Sequence, residues 1–266
     1  MQELSNTVRQ LLESGSVKVV IGYGEGTAGK VRPVFITDPR DADSLIFDIR
    51  CKQNLAVYVL KHEVKHLGKA AVVAPLFTLK TILQLAAENQ LADGDIVILG
   101  IDDGGKLTEF SNLADVEAFV APHDDLTADE KEKLDRIEKM SLDERWKYWQ
   151  NELSRCFKCY ACRAACPLCY CTRCTVDINQ PQWIPVPSHD IGNLEWHVMR
   201  AMHLAGRCVN CGECARACPL DIPLNLLTQR LIRDISSQFN QRAGISAKAE
   251  NALSTFKPDD KENFIR

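Results

Sequence analysis

No apolar run in this chain approaches the roughly 20 residues that an α-helix needs to cross a bilayer, so the sequence offers no membrane span. Positive charge is not in excess either. The chain has 32 Lys and Arg against 36 Asp and Glu, a formal net charge of -4, which gives no electrostatic basis for binding nucleic acid. Met1-Gln2-Glu3-Leu4 lacks the basic start of a secretory signal, and a cytoplasmic location is the resulting expectation. No G-x-S-x-G elbow is present, which removes the sequence sign of an α/β-hydrolase nucleophile. Cysteine is scarce over most of the length: of 12 in all, only Cys51 lies outside the segment from Cys156 to Cys218. Thiols gathered in this way within a cytoplasmic chain point to metal ligation rather than to disulfides.

The cysteine segment opens with Cys156-Phe-Lys-Cys159-Tyr-Ala-Cys162-Arg-Ala-Ala-Cys166-Pro167 and closes with Cys208-Val-Asn-Cys211-Gly-Glu-Cys214-Ala-Arg-Ala-Cys218-Pro219. Both runs read C-x2-C-x2-C-x3-C-P, the spacing by which bacterial-type ferredoxins hold 4Fe-4S clusters. Three thiolates two residues apart wrap one face of a cubane, and the Cys-Pro that follows directs the fourth thiolate to the other cluster. This crossed rule assigns Cys156, Cys159, Cys162 and Cys218 to one cluster, and Cys208, Cys211, Cys214 and Cys166 to the second. Structural zinc sites pair two short C-x2-C knuckles and do not require the third cysteine or the trailing Cys-Pro.

Cys169, Cys171 and Cys174 are not needed by either cluster. With Cys51 as a remote fourth ligand they would complete a four-thiolate set for a third 4Fe-4S cluster, and the same four would satisfy tetrahedral zinc. Free thiols, or a shifted ligand register around Cys166, are the plainer readings. Lys158, Arg163, Arg173, Arg207 and Arg216 lie among the motif cysteines, where cations raise the potential of an anionic cluster or form a docking patch. His62-Glu63-Val64-Lys65-His66 matches the zinc-protease pattern H-E-x-x-H, but Lys65 would sit badly beside zinc and no motif marks a third ligand, so a polar last helical turn before Gly68 is the preferred reading. His189, His197 and His203 read as surface or packing residues.

Along the chain, residues 5 to 13 have the spacing of a short amphipathic helix. Val17 to Ile21 and Val31 to Ile36 read as strands. The glycines between them invite a phosphate site only if a helix starts there, and a hairpin or loop is the alternative. The pattern then predicts a helix over 54–67, a strand over 69–74, a helix over 79–88 and a strand over 95–100, with an irregular stretch from 103 to 125. Ala128 to Asn151 reads as a solvated connecting helix, Gln180 to Ser188 as a loop, and 194–204 and 222–239 as helical regions. Strand–helix alternation argues for a small, mostly parallel α/β sheet. The expected organisation is an α/β domain over 1–125, a charged connector over 126–150, and a mainly helical dicluster 4Fe-4S ferredoxin-like domain over 151–240. A polar tail over 241–266 would be ordered against a partner.

Val20-Ile21-Gly22-Tyr23, Leu45-Ile46-Phe47-Asp48, Cys51, Asn54-Leu55-Ala56, Val72-Val73-Ala74, Glu88-Asn89-Gln90 and Val97-Ile98-Leu99-Gly100 resemble the N-terminal region of the deazaflavin (coenzyme F420) hydrogenase and formate dehydrogenase beta-subunit family. The helical cysteine-rich part resembles the dicluster ferredoxin units of heterodisulfide-reductase-type complexes. The chain has no room for the longer flavin- and deazaflavin-binding region of full-length family members. Its loop Pro75-Leu76-Phe77-Thr78 lacks the Cys and Asp, and its loop Ile101-Asp102-Asp103-Gly104 lacks the Cys, that the family carries there. The resemblance thus implies a retained scaffold with part of its site missing and does not call for a bound flavin. The expected function is a cytoplasmic electron-transfer subunit of an anaerobic redox complex, partnered by other redox subunits in a hetero-oligomer and without a catalytic site of its own. The alternative is a flavin-containing oxidoreductase, with Gly22, Gly24, Gly26 and Gly29 cradling the flavin phosphates.

Overall fold

The computed structural model describes residues 1–172, 174, 176 and 184–253. Its first half is built on a five-stranded sheet of order β2-β1-β3-β4-β5. Helix α1 (Gln2–Glu13) buries Leu4 and Val8 and leads into β1 (Val19–Glu25), whose residues are buried up to the last. β1 continues through Gly22, Tyr23 and Gly24, turns over Gly26–Lys30 and returns as β2 (Val31–Ile36), antiparallel, with Val20 opposite Ile36. The hairpin reading of the Gly-rich stretch therefore holds, with its turn later than the first glycines. Those glycines serve packing: a Cβ at Gly22 would run into the Leu45 side chain, and one at Gly24 would lie 2.6 Å from Val34 Cγ1. Gly22 and Gly24 are strand residues pressed against neighbours rather than part of a phosphate cradle.

The expected helix over 54–67 is two short ones, α2 (Ala56–Val59) and α3 (His62–Leu67), broken where Lys61 is extended at ψ 134°. On one continuous helix, positions five apart would face about 140° away from each other. The break lets Val59 and Val64 both bury. β3 (Ala70–Ala74) pairs parallel with β1 and with β4 (Ile96–Ile101), and α4 (Leu76–Ala87), starting directly after Pro75, crosses between them.

The stretch expected to be irregular holds β5 (Leu107–Phe110) and α5 (Leu113–Val120). β5 pairs antiparallel with β4, and the Phe110 ring occupies the space a side chain at Gly100 would need. Asn112 caps α5 by accepting from the Asp115 N–H at 3.0 Å. The sheet is thus mixed rather than mostly parallel: two parallel pairings at the centre and an antiparallel one at each edge. The short turns at both edges can only join antiparallel neighbours, because a parallel pair needs a long crossover.

The charged connector is also two helices, α6 (Ala128–Glu138) and α7 (Leu142–Ser154). Ser141 starts the second with a capping box: it accepts from the Glu144 N–H at 3.3 Å, and its own N–H donates to Glu144 Oε2 at 2.8 Å. Ser141→Ala removes one half of this box and is expected to cost about 1 kcal/mol, read from the midpoint of urea unfolding; an unchanged midpoint would show that the break needs no cap. Nor is α6 wholly solvated, since Leu134 and Ile137 bury against Leu126 and Leu226.

The cysteine half adds α8 (Ala161–Ala164), α9 (Asp190–His203), α10 (Glu213–Arg216) and α11 (Leu224–Phe239). Residues 180–183 of the expected loop lie outside the described residues, and 184–188 form neither helix nor strand. The segment after α11 comes back to the sheet half. Arg242 Nε donates to Asp125 Oδ2 at 2.8 Å, the Gly244 N–H to Gln84 Oε1 at 3.0 Å, and the Ala247 N–H to Glu117 Oε1 at 2.6 Å. Gly244 has φ +69°, and a Cβ there would collide with the Lys80 carbonyl. Residues 254–266 of the expected tail lie outside the described residues.

Candidate metal centres

The two cysteine runs share a backbone as well as a spacing. Lys158 and Tyr160 have φ of 56° and 60°, and the residues at the same places in the second run, Asn210 and Gly212, have 57° and 74°. Three of these are not glycine, and left-handed backbone at such residues is uncommon. Each loop then enters a single helical turn, α8 or α10, that carries its third cysteine. This winding turns main-chain amides onto sulfur. The Lys158 N–H lies 3.3 Å from Cys156 Sγ, and the amides of Asn210, Glu213 and Ala215 bond the thiols of Cys208, Cys211 and Cys214.

The thiols fall into two neighbourhoods. Cys218, from the far end of the second run, sits with Cys156 and Cys159 close enough for all three to act on the charge of Cys162. Cys211 and Cys214 act likewise on Cys208, and Cys166 packs on the same core as Cys208 and Cys211. Burial pushes the Cys162 thiol up to about 11, Cys208 to about 12 and Cys211 to about 11. Buried thiols with amide donors aimed at them suit a ligand that takes them as thiolates. A lone zinc would draw its sulfurs to about 2.3 Å. Among the described residues no three His, Cys, Asp or Glu side chains form a group that could hold one metal ion.

The sheet half supplies one wall of the second neighbourhood. Asn54 is fully buried. Its N–H donates to Glu213 Oε1 at 3.2 Å, its Nδ2 to Thr81 Oγ1 at 2.8 Å, and its Oδ1 accepts from Thr78 Oγ1 at 3.2 Å. Its side chain also bonds the Cys211 thiol. Arg216 ties the same corner through Lys52 O at 2.9 Å and Glu213 Oε1 at 2.6 Å.

Other cations named from the sequence have protein partners. Lys158 donates to the carbonyls of Pro185 and Pro187, and burial lowers its pKa. Arg163 donates to Cys171 O at 3.1 Å, and Arg207 pairs with Glu88. Arg173 lies outside the described residues. The cation that sequence reasoning missed is Arg200, buried on α9 and facing Cys162, Cys166, Cys169 and Cys214. The available signal was its place among Asn193, Trp196, His197, Ala201 and Leu204, on the apolar stripe of a helix joining two cysteine runs.

The four remaining cysteines divide. Cys169, Cys171 and Cys174 line a cavity of about 560 Å³ with Arg200, Arg207 and Tyr170, and Cys51 is not among its lining residues. Cys51 is buried in the sheet-half core, where it accepts from the Asp48 N–H at 3.4 Å. Cys169 bonds Cys166, and this contact together with burial drives its pKa far up. His62 and His66 lie on the exposed side of α3 with ring centroids 4.0 Å apart. His189 caps α9, accepting from the Gly192 N–H at 3.3 Å, and His197 is buried.

No family model matches the chain. Over 98 residues it is 39% identical to the F420-dependent formate dehydrogenase subunit beta of Methanocaldococcus jannaschii, a stretch that takes in 34% of this chain and 24% of that relative. The chain is thus related in part to a subunit of an oxidoreductase, and it spans about a quarter of that subunit's length. Among the described residues no helix is long and apolar enough to cross a membrane.

Proposed function

We propose that this chain is an iron–sulfur electron-transfer subunit of a cytoplasmic oxidoreductase complex of the formate dehydrogenase, hydrogenase or heterodisulfide reductase type. The observation that carries this reading is the pair of cysteine runs alike in spacing and in left-handed backbone positions. Cys156, Cys159, Cys162 and Cys218 would hold one 4Fe-4S cluster, and Cys208, Cys211, Cys214 and Cys166 the other. Such a cluster, when bound, accepts and releases single electrons. The chain's own residues set the conditions. Main-chain amides at Lys158, Asn210, Glu213 and Ala215 point at ligand sulfur, Asn54 and Glu213 close the second site against the sheet half, and Cys162 and Cys214, the third cysteine of each run, are buried. Cys159 is exposed, so the first site is the one nearer to an external redox partner. The kinship with a formate dehydrogenase beta subunit supports membership of a larger complex.

Iron, sulfide and zinc measured per chain on anaerobically purified protein, with an electron paramagnetic resonance spectrum after reduction, test this reading. About eight irons are expected; little iron, or zinc as the main metal, would overturn it. Thiols held near 11 and 12 must lose protons to bind metal. Iron uptake by metal-free protein should therefore rise several-fold between pH 7 and pH 9, followed by the growth of visible absorbance. Uptake independent of pH would contradict the ligand assignment of the buried thiols.

A further inference from the structure

We infer that Arg200 is the shared buried counter-charge of the two cysteine sites, a positioning residue that raises the reduction potential of both clusters together. The inference rests on the dicluster reading above. Arg200 is 6% exposed, on the buried face of α9. Its Nη2 donates to the Cys162 carbonyl at 2.9 Å, which places the guanidinium on the first cysteine loop. Its side chain also bonds the thiols of Cys169 and Cys214, which brings it onto the second site as well. Its Nε is buried and finds no partner among the described residues.

A buried guanidinium costs several kcal/mol unless opposite charge faces it. Burial alone would lower the pKa of Arg200, but Cys166, Cys169, Cys162 and Cys214 outweigh it and raise the value. The groups acting most strongly on this cation are therefore thiols. Cys162 belongs to the first proposed ligand set, and Cys166 and Cys214 to the second. Thiolate-ligated clusters supply the negative charge that the cation lacks, and the idle Nε–H is a donor for sulfur. Each added electron increases the negative charge that Arg200 faces, so the cation favours the reduced state. Because it touches both loops, it acts on both sites and screens each from the other.

The test compares Arg200→Gln, which removes the charge and keeps a donor for the Cys162 carbonyl, with Arg200→Lys, which keeps the charge. Arg200→Met serves in place of Gln if that variant does not fold. Iron and sulfide are measured first, on the full chain. Midpoint potentials then come from a redox titration followed by paramagnetic resonance. Arg200→Gln should retain the wild-type iron content while both one-electron equilibria shift at least tenfold toward the oxidised state, about 59 mV each. Arg200→Lys should hold both within about a third of that. Iron-replete Arg200→Gln with unmoved potentials, a shift in one cluster alone, or a Lys variant that falls as far as Gln would each overturn the assignment. Wild-type protein without iron would instead defeat the dicluster reading itself.

Discussion

Glu88→Ala should lower the stability of the chain by about 3 kcal/mol or more, the cost of leaving one member of a buried ion pair unpartnered. Glu88 closes α4, at the edge of the sheet half, and its carboxylate reaches across to the cysteine half. It accepts from Arg207 Nε at 2.7 Å and Nη2 at 2.5 Å, and from Tyr170 Oη at 2.7 Å. The side chains are 14% and 20% exposed, so water screens the pair little. Burial pulls the Glu88 pKa up, but the bonds from Arg207 and Tyr170 win and hold it below the usual carboxylate range. Without Glu88, Arg207 keeps only carbonyl acceptors, His203 O at 3.0 Å and Leu168 O at 3.3 Å. Glu88→Gln keeps one acceptor oxygen but turns an NH2 donor toward the remaining donors and removes the charge that Arg207 faces, so it should lose a similar amount, about 3 kcal/mol. Urea unfolding under argon reads both variants. A loss below about 1 kcal/mol for the Ala variant, the range of an exposed pair, would show that the halves are held together elsewhere.

The second large effect is on pH dependence. His197 is 3% exposed, and burial, then the charges of Arg200 and Lys158, take its pKa down from 6.5 to about 4. A depressed value means that the unfolded chain takes up the proton first. The stabilisation is therefore whole above pH 6.5 and is lost as pH falls toward 4. The full gap corresponds to roughly 3 kcal/mol, of which about 2 kcal/mol should be gone by pH 5. Replacing His197 by Phe removes the titrating group, so unfolding between pH 7 and pH 5 should be flatter by that amount. The difference between the two profiles isolates His197 from any acid-driven loss of metal common to both proteins. Parallel profiles would mean that His197 is solvated and titrates normally in the folded chain.

Cysteine spacing carried the most from sequence to candidate site, because a repeated spacing brings a repeated local backbone with it, here the left-handed positions at Lys158, Tyr160, Asn210 and Gly212. The same stretch hid what faces it. Arg200 is the one arginine of a helix whose histidines, His197 and His203, read as surface or packing residues, and only packing shows that it points inward. Asn54 gave no signal as part of the candidate site, since its contacts to Thr78, Thr81 and Glu213 join residues up to 159 positions apart. The central strands were legible from their β-branched runs. β5 was not, because Leu-Thr-Glu-Phe is too short for alternation to rise above chance, and its pairing to β4 depends on Gly100 leaving room for Phe110. The break at Ser141 was written in the sequence as S-x-x-E, but the charge run around it reads as one uninterrupted helix.

The return of Gly244 to Gln84 spans 160 positions, and all of the clustered cysteines lie between them. On a ribosome this contact is among the last the described chain can make. After Cys166 completes the first run, 78 further residues must be added before Gly244 exists, about 4–16 s at about 5–20 residues per second. During that interval the sheet half can fold, while the clasp that seals it to the cysteine half cannot yet close. The order of synthesis thus leaves the clustered thiols accessible first, and shuts the joint afterwards.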